Sequence, residues 1–243
     1  GHTAIPDRLT FLAEDGAASR PPAPLFEAFE NDAILEGAGA SALLRGALEA
    51  RAQALDATVV DSLNFLLFTP DGGLTGFSLP ERNILRGRDH GLETWAVVRE
   101  TVLGDVDADA LAGSADFSVI TPEPALQAAL ASVYPTVGAV DLWVGGLAEP
   151  HAEGAAVGPT FRAIIADQLE RLRDADPLFH AAREWADPRL ASEIAATTLA
   201  DVLTRSGGIG HVQRDPFLAS ARQGGAEGAD HLKGSVDRDL LIG

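Results

Sequence analysis

The chain has no cysteine and no methionine, a single lysine (Lys233) and a single tyrosine (Tyr134), and 18 Lys+Arg against 36 Asp+Glu. Without cysteine there is neither disulfide nor thiolate chemistry, a condition that fits the cytosol and equally fits exported bacterial proteins built without a disulfide framework. The formal net charge of −18 argues against non-specific nucleic-acid binding and against anionic membranes. It suits a salty or extracellular medium. Methionine is missing even at position 1, so the chain reads as a segment of a longer protein. No run of 18 apolar residues exists to span a bilayer, and the start "GHTAIPDRL" lacks the basic-then-apolar form of a signal peptide. What the chain does have is an apolar fraction of 46%, enough for a packed core. Nearly every cation is an arginine, a rigid and permanently charged fork.

Hydrophobic periodicity points to a mainly α body. Residues 40–55 read as one helix, with Leu43, Leu44, Ala47 and Leu48 on one face, and residues 57–68 form an apolar segment ending at the turn "TPDGG". A second helix is expected from the "RNILRGRDHGL" stretch through about Leu103, and a third from Thr121-Pro122 to about Val133. "GPTFRAIIADQLERLRDADP" (158–177) is the clearest helix, with Phe161, Ile164, Ile165, Gln168, Leu169 and Leu172 sharing a face. Residues 187–208 read as another, closed by Gly207-Gly208. No alternating strand is apparent before about residue 215.

The last 26 residues, 218–243, change character and show a period of nine. "GAEGADHLK" aligns with "GSVDRDLLI", each with glycine first, aspartate sixth and leucine eighth. This resembles the calcium-binding nonapeptide of secreted repeat-in-toxin proteins. The resemblance implies Ca²⁺ bound by oxygen ligands, with Asp230 and Asp239 as candidates, and the start of a parallel β-roll. A glycine-rich acidic linker is the plainer reading.

The scarce cations cluster in "RNILRGRDHGL" (82–92), which holds Arg82, Arg86 and Arg88 beside Asn83. An imidazole that ligates a metal donates its other N–H to an oxygen that fixes its tautomer, and Asn83 could supply that oxygen. Arginines nearby suit an anionic cofactor with carboxylates. Asp89 and His90 are adjacent in sequence and so do not face each other on a helix. His151, His180, His211 and His231 have no ligand-like spacing and read as surface or loop residues. No G-x-S-x-G elbow supports a serine hydrolase.

"SLPERNILRGRDHGLETWAVVRE" resembles the signature helix of the animal-type haem peroxidase superfamily, and "VDLWVGGLAEPHAEGAAVGPTFRAIIADQLERLRDADPLF" resembles a later stretch of that family. The resemblance runs over residues 1–217 in the family's order. It implies the C-terminal, helical part of an animal-type haem peroxidase domain at 1–217, with the nonapeptide repeats at 218–243. By that resemblance the "GHT" tripeptide holds the proximal histidine, His2, which ligates the iron of haem b. Asn83 then hydrogen-bonds the proximal imidazole, and Arg86 lies near a haem propionate. Arg88 and Asp89 are expected in an ion pair or helix-packing network, and His90 as a buried, hydrogen-bonded structural residue. Trp95 and Ala96 stand where the family typically has tyrosine and asparagine.

The family's distal histidine, catalytic arginine and haem-linking carboxylates all precede the proximal histidine. The segment is therefore expected to supply the proximal side of the haem site, to be inactive alone, and to belong to a parent chain that carries the remainder of the domain and further repeats. The implied function is peroxidation: reduction of hydrogen peroxide and oxidation of small organic or halide donors, outside the cell. Two alternatives stay open. One is a fatty-acid dioxygenase of the same superfamily, for which Tyr134 would be the sole radical candidate. The other is a non-catalytic, calcium-dependent extracellular matrix or surface protein.

Overall fold

The computed structural model describes residues 1–28, 31–64, 78–181, 184, 185, 187–210, 212, 213 and 215–217. It is mainly helical. In chain order the helices are α1 (Leu25–Ala28), α2 (Gly39–Glu49), α3 (Asp61–Asn64), α4 (Leu79–Asp89), α5 (Trp95–Leu103), α6 (Ala108–Leu111), α7 (Pro124–Val133), α8 (Leu142–Ala148), α9 (Pro159–Ala175), α10 (Pro188–Ala196) and α11 (Leu199–Gly207). The described sheet is one antiparallel pair of two-residue strands, β1 (Arg8–Leu9) and β2 (Ala23–Pro24), with Arg8 opposite Pro24 and Leu9 opposite Ala23. The repeat region, with Asp230, Asp239 and the expected β-roll, lies outside the described residues.

Two compact units divide the chain: Gly1–Thr3 with Ala54–Asp176, and Ala4–Gln53 with Pro177–Gly243. In the second, Phe11, Ala23, Ile34 and Ala42 form the core, with the Arg20 guanidinium 4.9 Å from the centroid of the Phe11 ring. Helix α2 runs so close to the backbone at Thr10 and Phe11 that a Cβ on Gly46 would overlap it. α2 ends at Glu49, short of the expected residue 55, because Ala50 turns to an extended conformation and Gln53 N–H donates to the Ala4 carbonyl at 3.0 Å.

The first unit has a core of Trp95, Ala96, Phe117, Ile120, Leu130, Tyr134, Val137, Val140 and Ala148. Helix α5 packs against α8 and α9, and the glycine pair of "VGGLAE" makes that possible. A Cβ on Gly145 would fall 2.6 Å from Trp95 Cβ, and one on Gly146 would collide with the Phe161 ring.

Three expected helices begin or break elsewhere. The stretch from Arg82 to Leu103 is two helices, because Gly91 adopts a left-handed conformation (φ 67°). Leu92 N–H reaches back to the Gly87 carbonyl at 2.9 Å and Gly91 N–H to Arg88 at 3.1 Å, the paired closure of a Schellman cap. The helix expected from Thr121 starts at Pro124, since a residue before proline avoids the helical region and Glu123 is extended. Residues 187–208 split at Thr198, whose side chain forms a capping box with Asp201; Gly208 closes α11 at φ 60°. α9 has the expected span, but its apolar stripe is not buried: Ile165, Leu169 and Leu172 are 47, 62 and 56% exposed.

Candidate haem-proximal site

The first unit brings together residues 81 positions apart. His2 sits in a 3-10 turn, His2–Ala4, and is exposed while its neighbour Thr3 is buried. Asn83 lies in the second turn of α4, and its Nδ2 is 3.1 Å from His2 Nδ1. The contact therefore exists, but with the amide nitrogen facing the ring rather than the oxygen the sequence suggests. In this arrangement the amide N–H donates to Nδ1, so the imidazole proton resides on Nε2. An iron-ligating imidazole needs Nε2 free and Nδ1 protonated. A half-turn of the Asn83 amide exchanges Nδ2 for Oδ1 and provides the acceptor for that tautomer.

Arg86 follows Asn83 by three residues and so shares its side of α4. It is exposed, and its guanidinium has no side-chain partner among the described residues. With Arg82, Leu85, Asp89 and His90 it lines an open cavity of about 590 Å³. A second cavity of about 370 Å³ shares Arg86 and His90 with the first and is walled by Asn83, Ile84, Leu142 and Trp143. His90 is exposed rather than buried, because it stands at the C-cap of α4 beyond the last helical residue. Its hydrogen bond is present: Nδ1–H donates to the Arg86 carbonyl at 2.9 Å.

Arg88 makes an ion pair, and its partner is Asp141 at the start of α8. Nε and NH2 donate to the two carboxylate oxygens at 2.8 and 2.7 Å, a bidentate fork. Tyr134 O–H donates to the same carboxylate at 2.7 Å. The Arg88 hydrogen bonds hold the Asp141 carboxyl below the usual carboxylate range despite its partial burial. Burial, reinforced by the Asp141 hydrogen bond, pushes the Tyr134 phenol up to about 12. Asp89 has no side-chain partner among the described residues and takes no part in this network. His151 is exposed, with Nε2 3.2 Å from the Leu55 carbonyl, and His180 is exposed in a turn against Phe179; His211 and His231 lie outside the described residues.

Sequence reasoning missed a buried carboxylate. The Glu149 side chain is fully inaccessible and accepts from Trp95 Nε1 at 2.6 Å, Arg99 NH1 at 2.8 Å and the Thr160 amide at 2.9 Å. The Thr160 hydroxyl donates to it as well. Arg99 continues to Asp105 by a bidentate pair of 2.9 and 2.7 Å. The signal was present in the spacing of "WAVVR", "GLAE" and "GPT", but no local periodicity links those segments.

The donor set fits an iron porphyrin. His2 could offer one imidazole to a metal, Asn83 an amide to orient it, and Arg86 a guanidinium to a carboxylate. Among the described residues no group of three or more His, Cys, Asp or Glu side chains gathers as a protein-only metal site. No described helix is long and apolar enough to cross a membrane.

Comparison with known proteins gives the same direction. The model of the animal haem peroxidase family matches residues 1–217. Peroxinectin A of Dictyostelium discoideum is 32% identical over 220 residues, covering 89% of this chain and 39% of that protein. Lactoperoxidase of Mesocricetus auratus is 27% identical over 227 residues, covering 89% of this chain and 31% of that protein. The chain thus spans about a third to two fifths of these relatives' length. Among solved structures, peroxidase A from Dictyostelium discoideum superposes with a TM-score of 0.75 at 30% identity, over 88% of this chain and 40% of that one. A fatty acid alpha-dioxygenase from Oryza sativa superposes at 0.67 with 17% identity, over 84% of this chain and 35% of that one, a likeness of fold.

Proposed function

The chain belongs to the animal haem peroxidase family, and on that footing we propose that it forms the proximal side of a haem b site in an oxidoreductase. That enzyme reduces hydrogen peroxide and oxidises small organic or halide donors. The observation that supports this most directly is the His2–Asn83 contact of 3.1 Å. When bound, haem supplies the redox-active iron at which peroxide is reduced. The chain's own residues hold and tune it. His2 Nε2 would hold the iron, and with the Asn83 amide turned so that Oδ1 faces the ring, that oxygen would accept from Nδ1–H, fixing ring orientation and raising the basicity of the ligand. Arg86 neutralises a haem carboxylate.

The test is haem binding by the full-length protein with three substitutions. His2→Ala abolishes stable haem ligation, and an unchanged haem spectrum refutes the assignment. Asn83→Ala retains haem but shifts the ferrous iron–histidine stretching frequency. Arg86→Gln loosens haem retention without moving that frequency. The dioxygenase alternative gains nothing from Tyr134, whose hydroxyl is committed to Asp141.

The proposal extends to the repeats and the compartment. Asp230 and Asp239 are assigned to Ca²⁺ in nonapeptide turns, and the acidic chain to an extracellular setting. Calcium addition then changes the far-ultraviolet circular dichroism of the full chain towards more β-structure; a spectrum indifferent to calcium and chelator removes that assignment.

A further inference from the structure

Helix α4 carries Asn83 and Arg86, yet it buries none of its side chains fully. Leu79, Pro80, Asn83 and Ile84 are half-buried where α4 meets α3 and α8, and a face covered only in part leaves the rotation of the helix to be set jointly by packing and polar anchors. Polar anchors stand at both of its ends. At the N-terminal end, Ser78 Oγ donates to Asn64 Oδ1 at 2.8 Å and caps Glu81 N at 3.3 Å. At the C-terminal end, Arg88 grips Asp141 through both carboxylate oxygens.

The two ends of the Arg88–Asp141 pair differ in kind. The Arg88 side chain is 58% exposed, and that of Asp141 is 15% exposed. Asp141 is also immobilised from several directions. Tyr134 O–H donates to it at 2.7 Å, its carbonyl accepts from Gly145 at 2.9 Å, and it bridges antiparallel to Thr94. The preceding residue, Val140, is fully buried and accepts from Trp95 N at 2.9 Å. Asp141 is therefore a fixed point from which the exposed Arg88 takes its position.

We propose that Asp141 is a positioning residue for the His2–Asn83 pair, acting through Arg88 to set the rotation of α4. The lever is short. Side-chain ends lie about 5–6 Å from a helix axis, so a rotation of about 20° displaces the Asn83 amide by about 2 Å. That is enough to lose a contact of 3.1 Å. As a contribution to stability alone, a pair with one exposed partner is worth little; its consequence is angular.

This inference rests on the proximal-site reading above, and the test separates the two. The readout is the ring nitrogen resonances of His2 in the ¹⁵N-labelled, haem-free chain, where Nδ1 reports its hydrogen-bond partner. Asn83→Ala is the reference for a lost contact. Asp141→Asn and, from the exposed side, Arg88→Gln are expected to move the His2 Nδ1 resonance at least half as far as Asn83→Ala does. Asp141→Glu, which keeps a carboxylate, restores most of the wild-type position. Near-ultraviolet circular dichroism of Trp95 and its core stays native in Arg88→Gln, which leaves the core untouched. If Asn83→Ala moves His2 while both Asp141→Asn and Arg88→Gln leave it in place, Asp141 does not position the pair. If Asn83→Ala itself leaves His2 unmoved, the His2–Asn83 contact is refuted and this inference goes with it.

Discussion

Tyr134 is the sole tyrosine of the chain, so its ionisation can be followed without deconvolution. Its hydroxyl donates to Asp141 at 2.7 Å, and its residue is 9% exposed. Burial of the ring and the negative carboxylate both oppose the phenolate, lifting the phenol from 10.0 to about 12. Because the folded value is raised, the associated stability is fully present below pH 10 and is lost as pH climbs towards 12. In that window the unfolded chain releases its proton first. At about 1.4 kcal/mol per unit, the loss across the window is about 2–3 kcal/mol. Phenolate absorbance of the native protein should therefore rise with a midpoint near 12, and urea unfolding at pH 9 and pH 11 should show the stability falling. A native-state midpoint near 10, with far-ultraviolet circular dichroism unchanged, would refute both the burial and the Asp141 contact as causes.

The remaining predictions concern the core of the same unit. Gly145→Ala places a methyl within 2.6 Å of Trp95 Cβ, and should cost about 1–3 kcal/mol or more in urea unfolding; a neutral change would mean that α5 and α8 slide apart freely. Glu149→Gln is nearly isosteric, but every partner of the carboxylate is a donor, so the amide nitrogen finds no acceptor and Arg99 loses a charge partner. A loss of about 3 kcal/mol is expected, and less than 1 kcal/mol would show that Glu149 is dispensable. Thr198→Ala removes the capping box of α11 and should lower stability by about 1 kcal/mol, measured by the same unfolding experiment.

Local chemistry was legible in the sequence where the deciding partner is close in the chain. Pro159 at the first turn of α9 and Gly208 after α11 mark real ends. The break at Gly91 was hidden because "RGRDHGLETW" keeps helical periodicity on both sides, and only the left-handed glycine with its Leu92-to-Gly87 bond reveals the turn. The same is true of Thr198, a residue equally at home inside a helix pattern. The His2–Asn83 contact was legible through its motif: "GHT" and "RNILRGRDHG" nominate the two residues, which the fold sets together. Periodicity gave the stripe of α9 without telling whether anything covers Ile165, Leu169 and Leu172. Glu149 and Asp141 were not legible. Their roles depend on Trp95, Arg99, Arg88 and Tyr134, brought together across 7 to 54 positions by tertiary structure, and no single window contains them.

Trp95 stands where the family resemblance places tyrosine, and its surroundings constrain how such a change can occur. The indole is fully buried, with its N–H on Glu149 and its flank against the bare backbone of Gly145. Shrinking the ring to a phenol at position 95 alone withdraws a donor from the carboxylate and opens a void over the glycine. Enlarging position 145 first meets the indole head-on. Each single step is disfavoured, whereas a joint change can retain both volume and hydrogen bond. Positions 95, 145 and 149 are therefore one unit of substitution: in a set of related chains they should covary, and grafting any one of them alone into a tyrosine-bearing relative should unsettle the packing of α5 on α8.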